Sequence, residues 1–202
     1  MKKTYWQKSK KIVGPNRVAE FDTAGQQGTR KKIHEMIISL SDENSKVLEI
    51  GCNVGMLPWQ LHKKGYKGSY TGVDSNGNAL VLAAENTEGL PEVEFLEGEA
   101  EDLPFGGCVA DIVVSKDVIE HLETYKKALA EFARVCAKYF LLSMFIIPQD
   151  EPEKIVLTPS GYYLNTYNRS ELIAHVVEQG FELVRSEVVD SDELFLFERR
   201  DA

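Results

Sequence analysis

The stretch Lys46-Val-Leu-Glu-Ile-Gly-Cys-Asn-Val-Gly55 constrains this 202-residue chain more than any other. An apolar run, Val47 to Ile50, breaks at Gly51; Gly55 follows four residues later, and helix-forming residues continue to Gly65. The pattern predicts a buried strand, a tight glycine turn and a helix whose N-terminus faces that turn. In an open α/β sheet, a nucleotide-like ligand sits in the crevice at the C-terminal end of such a strand. Glu49 lies inside the strand, two residues ahead of the turn. Burying a carboxylate is costly without a partner, so its presence points to a function.

The rest of the chain repeats the alternation. Tyr70–Asp74 reads as a second strand, and Ser75-Asn-Gly-Asn78 leads into a helix that runs to about Asn86. Val93–Glu97 reads as a third strand, with the acidic loop Gly98-Glu-Ala-Glu-Asp-Leu-Pro-Phe105 behind it, and Ala110–Ser115 as a fourth. The apolar run 138–147 is expected to be a fifth, fully buried strand. Helices are expected at about 26–40, 56–64, 124–137 and 169–179; in the first, Ile33, Met36, Ile37 and Leu40 fall at i, i+3, i+4 and i+7. Alternation at this spacing means βαβ units, hence a parallel sheet with right-handed crossovers. Phe181–Val189 and Glu193–Arg199 are joined by Asp190-Ser-Asp192, a turn so short that only antiparallel pairing is open to them. The expected fold is α/β: a Rossmann-like three-layer sandwich around a seven-stranded, mostly parallel sheet with an antiparallel last strand. The length suits one such domain with a full core. Residues 1–24 read as an irregular N-terminal arm with aromatic anchors at Tyr5, Trp6 and Phe21 and a turn at Gly14-Pro15-Asn16. Residues 25–202 read as a single domain, with a ligand-binding half at 46–145 and, on the acceptor side, a Pro- and Tyr-rich long loop or short hairpin at 148–168.

Charge narrows the partners. The first 34 residues carry nine Lys/Arg against Glu20 and Asp22, about +7, while the remainder is about −16, giving the net −9. So acidic a body disfavours a nucleic-acid substrate, because phosphate contacts supply most of that affinity. The longest apolar run, Phe140 to Pro148, is interrupted by Ser143 and is too short to span a membrane. The basic start Met1-Lys2-Lys3 has no apolar region behind it, so no signal peptide is expected. Three cysteines without CxxC spacing (Cys52, Cys108, Cys136) fit reduced thiols and a cytoplasmic location. The four histidines are scattered, and no metal site is expected.

Three features fall at the ends of consecutive strands: the glycine turn, Asp74, and Glu99-Ala100. Glycine at 51 lets backbone approach a ligand closely. An acid ending the second strand is placed to accept both ribose hydroxyls, and the third loop would border an adenine. Asp74 has a plainer alternative, capping the helix that begins near Gly77. A dinucleotide site wants G-x-G-x-x-G; here the middle glycine is missing and no third follows at the required place. Acids surround the turn (Glu49, Asp74, Glu99, Glu101, Asp102), with Lys116 the only nearby cation on this reading. A pyrophosphate is poorly served there. A ligand bearing a sulfonium and an ammonium, S-adenosylmethionine, is well served.

Val47-Leu-Glu-Ile-Gly-Cys-Asn-Val-Gly55, Thr71-Gly-Val-Asp74, Glu97–Phe105 and Asp111-Ile-Val-Val-Ser-Lys-Asp-Val-Ile-Glu-His-Leu122 resemble the ordered motifs of class I S-adenosylmethionine-dependent methyltransferases. The subgroup they most resemble is the small-molecule type that includes quinone-biosynthesis enzymes. The resemblance covers about residues 46–145. It implies that Gly51, Cys52, Asn53 and Gly55 form the turn against the methionine part, and that Glu49 orients its ammonium. It further implies that Asp74 and Ser75 hold the ribose, Glu99 and Ala100 border the adenine, and backbone near Ser115 and Lys116 closes the site. Asn53 departs from the family pattern, which often has glycine there; Asn tolerates positive φ better than most residues. The implied reaction is in-line transfer of a methyl group to a small or medium-sized acceptor, with S-adenosylhomocysteine as product. Positioning supplies much of such a rate, and a base is needed only where the acceptor must lose a proton. His121 is the candidate base, with packing or capping of the next helix as the alternative. Tyr162, Tyr163 and Tyr167 are candidate acceptor-side residues, and Tyr5 and Trp6 a candidate lid over the cofactor. His34, His62 and His175 fall on helices and read as structural. The rival functions are a catalytically silent S-adenosylmethionine-binding subunit and an NAD-dependent oxidoreductase.

Overall fold

The computed structural model describes residues 5–9, 18–25 and 28–200; the expected Gly14-Pro15-Asn16 turn lies outside them. Seven strands form one sheet: β1 (Lys46–Ile50), β2 (Ser69–Asp74), β3 (Val93–Glu97), β4 (Ala110–Lys116), β5 (Cys136–Met144), β6 (Phe181–Val189) and β7 (Asp192–Arg199). Their order across the sheet is β3-β2-β1-β4-β5-β7-β6. β1 pairs in parallel with β2 and with β4, whereas β7 pairs antiparallel with both β5 and β6. The turn between β6 and β7 leaves no room for a crossover, so β7 folds back into the gap beside β5.

Helices cover both faces. α3 (Gly28–Leu40) and α4 (Met56–Lys63) bury Ile33, Ile37 and Leu61 against Val47, Ile112, Leu141 and Leu194 on one face. On the other, α6 (Lys126–Val135) and α7 (Arg169–Glu178) bury Leu129, Phe132, Leu172 and Val176 against Val113, Phe140 and Phe197. α5 (Gly77–Asn86) crosses from β2 to the edge strand β3. The chain reverses its winding between β1 and β4, so the carboxyl ends of these strands border the crevice where ligands bind in such sheets.

Three details differ from the sequence reading. The arm is helical where it is described: α1 (Tyr5–Lys8) and α2 (Val18–Gly25). α2 sinks Phe21 completely, edge-on to Trp59 of α4 at 5.6 Å, and Lys63 pairs with Asp22 at 2.9 Å. α6 passes straight into β5 at Cys136, two residues before the expected start. The carbonyl oxygens left at that helix end are taken by the Arg199 guanidinium, with Nη2 2.7 Å from the Cys136 oxygen. At the far end β5 stops at Met144 instead of reaching Ile147, because the Phe145 N–H donates to Glu120 Oε1 at 2.9 Å and not to the sheet. The 148–168 segment is a ragged hairpin held by single bridges, Lys154 with Thr166 and Leu157 with Tyr163. No helix among the described residues is long and apolar enough to cross a membrane.

Candidate active site

The glycine turn is built from β1 outward. Gly51 and Cys52 both donate to the Val73 carbonyl, at 2.8 and 3.1 Å, which folds the turn back over β2. Gly51 has φ +81°, and a Cβ there would lie 2.3 Å from Val118 Cγ2. Gly51→Ala is therefore expected to cost about 1–2 kcal/mol in urea-unfolding stability from the left-handed backbone alone. Wild-type stability in that variant would mean the turn relaxes freely. Asn53 sits at φ 49°, the left-handed conformation that lets an asparagine stand in for a glycine. Cys52 turns its sulfur into the core and is only 4% exposed; burial pushes its thiol well above the usual range. Only its backbone faces the turn.

Asp74 ties this turn to the next. One carboxylate oxygen accepts the Asn53 N–H and the other the Asn76 N–H, each at 2.9 Å. Asn76, not Asp74, caps α5 by accepting from the Asn78 N–H at 3.1 Å, so the alternative of a plain helix cap falls. Burial raises the Asp74 carboxyl, and the backbone N–H groups of Asn76, Asn53 and Ser75 pull it back. A carboxylate has about four acceptor sites, so capacity remains for a ligand donor. The Gly98 N–H donates to the Asp74 carbonyl at 3.1 Å and so brings the acidic loop, with Glu99 and Ala100, alongside.

Glu49 has a partner that the sequence reading did not name. The Tyr70 hydroxyl donates to Glu49 Oε2 at 2.5 Å. Burial pushes the Glu49 carboxyl up to about 7, partly opposed by this hydrogen bond and by the charge of Arg30, with Asp74 adding to the rise. Tyr70 pairs with Val47 across the sheet, and Val47 and Glu49 share a face by alternation, so an in-register second strand was the available signal. Arg30 also corrects the expectation that Lys116 is the only nearby cation. Lys116 itself is spent on an ion-pair triad, 2.6 Å from Asp117 and 2.7 Å from Asp192 of β7. Ser115 lies beside Ile50 in the sheet and is fully buried.

His121 follows β4 in a 3-10 turn (Ile119–His121). Its Nδ1 is 2.9 Å from the Tyr163 carbonyl oxygen. A carbonyl can only accept, so the neutral ring carries its proton on Nδ1 and presents a lone pair at Nε2. Burial holds the imidazole below its ordinary value, against the carbonyl and Asp117. Three rings surround it: Trp6 at 4.7 Å, Phe145 at 5.7 Å and Tyr162 at 5.9 Å between centroids. Of the three candidate tyrosines, Tyr162 brings its ring to His121 and Tyr163 its carbonyl. Tyr167 is core, its hydroxyl donating to the Ile119 carbonyl at 2.9 Å. His34 is buried on α3 and His175 meets the Lys126 carbonyl at 3.0 Å. The expected lid residue Trp6 thus stands on the His121 side, while its neighbour Gln7 donates to the Glu99 carboxylate. Glu120, fully buried with its carboxyl pushed up to about 8 by burial, is a third residue the sequence reading passed over. Among the described residues no cluster of His, Cys, Asp or Glu is arranged to hold a metal.

A seven-stranded sheet of this order is a Rossmann-like fold shared with solved S-adenosylmethionine-dependent methyltransferases. Residues 48–139 match the family model described as a methyltransferase domain. It is similar to a ubiquinone/menaquinone biosynthesis C-methyltransferase, UbiE, of Campylobacter jejuni, 28% identical over 155 residues, covering 74% of this chain and 64% of that protein. It is also 28% identical over 145 residues to phthiotriol/phenolphthiotriol dimycocerosates methyltransferase 1 of Mycobacterium ulcerans, covering 71% of this chain and 53% of the relative. The chain thus spans between about half and two thirds of the length of these curated relatives. Among solved structures it is similar in fold to magnesium protoporphyrin IX methyltransferase from Synechocystis PCC 6803 with bound S-adenosylmethionine. There the TM-score is 0.70 at 18% identity, over 97% of this chain and 90% of that one.

Proposed function

We propose that this protein transfers the methyl group of S-adenosylmethionine to a small-molecule acceptor and releases S-adenosylhomocysteine. The observation that carries the reading is the pair of half-buried acids, Glu49 and Asp74, set on either side of the glycine turn. The residues suit that cofactor. Gly51 gives the turn its left-handed bend at φ +81°, and a carboxyl that burial holds near 7 gains most from a cation beside it. Under this reading Glu49 orients the ammonium, Asp74 with Ser75 accepts from the ribose, and Glu99 with Ala100 borders the adenine. The turn from Gly51 to Gly55 bounds the methionine part, and backbone at Ser115 and Lys116 closes the floor. When bound, the cofactor supplies a methyl group on a sulfonium, already activated for displacement. His121 accepts the acceptor's proton at Nε2, where the Tyr163 carbonyl leaves the lone pair. The relatives' names, with quinone-biosynthesis, dimycocerosate-lipid and porphyrin substrates, support a small organic acceptor.

Incubating the protein with labelled S-adenosylmethionine and a metabolite extract is expected to give S-adenosylhomocysteine and a labelled small molecule. Cofactor binding without turnover in any fraction would instead identify a silent binding subunit. A cytoplasmic location is part of the same proposal, supported by three unpaired cysteines; recovery in a membrane or secreted fraction on cell fractionation would refute it.

Glu49 makes binding depend on pH. Its folded carboxyl titrates at about 7 and the ammonium favours the ionised form, so affinity rises with pH up to about 7 and then levels. Between pH 7 and pH 6 the calorimetric affinity for S-adenosylhomocysteine is expected to fall up to about tenfold, about 1.4 kcal/mol. The slope should vanish in Glu49→Gln. A wild-type profile flat from pH 5 to 8 would count against this role for Glu49.

A further inference from the structure

The stretch Tyr5–Ser9 lies in the candidate site and touches both of its halves. On the His121 side, the Trp6 indole packs 4.7 Å from the His121 ring and 5.4 Å from Tyr162, and Tyr5 lies 4.9 Å from Tyr162. On the other side, the Gln7 carboxamide donates to the Glu99 carboxylate, and the Ser9 carbonyl accepts from Asn76 Nδ2 at 3.2 Å. The indole N–H is buried without a hydrogen-bond partner. The indole thus fills an aromatic cage on the His121 side, where an acceptor ring of like size would compete with it.

We propose that Trp6 occupies the acceptor subsite, and that the acceptor is an aromatic hydroxyl compound of about indole size. Its ring replaces the indole against His121 and Tyr162, and its hydroxyl donates to Nε2 of His121. This rests on the reading of His121 as the acceptor-side base. Aromatic rings are the groups that gain from tilted packing at centroid separations of 4.5–7 Å, and all three partners of His121 stand within that range. The hydroxyl follows from the tautomer: Nδ1 is committed to the Tyr163 carbonyl, so Nε2 accepts and calls for a donor. A ligand already anionic is disfavoured because Asp117 raises the pKa of both Glu120 and His121, which places a negative charge near the cage. Gln7 adds a parallel on the cofactor side, where its amide N–H on Glu99 supplies the donor that an adenine amino group would bring. Both halves of the site are thus filled from one short segment, and both are vacated together when the ligands enter.

The sign of one substitution separates a stand-in from a wall. With 2-naphthol as probe, calorimetry is expected to show about tenfold tighter binding to Trp6→Ala than to the wild-type protein. The wild type should prefer 2-naphthol to 2-methylnaphthalene, and His121→Gln should lose that preference. Weaker or unchanged 2-naphthol binding in Trp6→Ala would overturn the proposal. A second measurement needs no change at Trp6. In Trp59→Phe, Trp6 is the one remaining indole of the two in the chain, and its single indole N–H resonance should move to the solvent-exposed position when 2-naphthol is added. A resonance that stays in place contradicts the displacement. S-adenosylhomocysteine affinity is measured separately in the same proteins. Its absence would sink the cofactor reading, while the 2-naphthol results would still decide the role of Trp6.

Discussion

Replacing His121 by glutamine is expected to slow methyl transfer by about 100- to 10,000-fold, the contribution of a positioned general base, while S-adenosylhomocysteine binds as before. The expectation rests on geometry first. The Tyr163 carbonyl 2.9 Å from Nδ1 selects the tautomer with a free Nε2, and the rings of Phe145 and Tyr162 hold the imidazole in place. Burial lowers its pKa beneath the ordinary imidazole value, so the neutral, proton-accepting form prevails at neutral pH. The acid limb of the pH–rate profile should therefore lie below 6.5 in the wild-type protein and disappear in the glutamine variant. Labelled S-adenosylmethionine with the active acceptor fraction measures both. A rate within threefold of wild type would show that the acceptor gives up no proton to His121, and that the ring serves packing alone.

Asp74→Ala is expected to weaken S-adenosylhomocysteine binding by about 1.5–3 kcal/mol, the range for hydrogen bonds to a charged group. Two losses combine in that figure. The ribose hydroxyls lose their acceptor, and the N–H groups of Asn53 and Asn76, each 2.9 Å from a carboxylate oxygen, lose theirs. Asp74→Asn separates the two, because its single carbonyl oxygen still accepts from one backbone N–H while its amide cannot accept from a second hydroxyl. Calorimetry should place Asn between wild type and Ala. An unchanged affinity in Asp74→Ala would mean that the ribose lies elsewhere.

β1 and β4 were legible because each is a short apolar run that ends at a glycine or polar turn, and the antiparallel β7 because a two-residue turn allows nothing else. What escaped the sequence was set by contacts distant along the chain. β5 begins early because Arg199, 63 residues away, satisfies the end of α6. It ends early because Glu120 captures the Phe145 N–H. The arm reads as irregular until Phe21 is seen buried beside Trp59. In the site, Glu49, the turn and Asp74 were readable, since each residue type answers a local demand of the strand end it occupies. Tyr70 and Arg30 around Glu49, the diversion of Lys116 to Asp192, and the cage around His121 were not, because each joins segments that only the sheet brings together.

The central claim is that the crevice above β1 and β2 holds a cationic nucleoside and not a dinucleotide. Isothermal titration of the full chain with S-adenosylhomocysteine and, separately, with NAD tests it most directly. One equivalent of S-adenosylhomocysteine should bind, with no heat from NAD. Saturable binding of NAD, or no binding of S-adenosylhomocysteine by the folded protein, would contradict it.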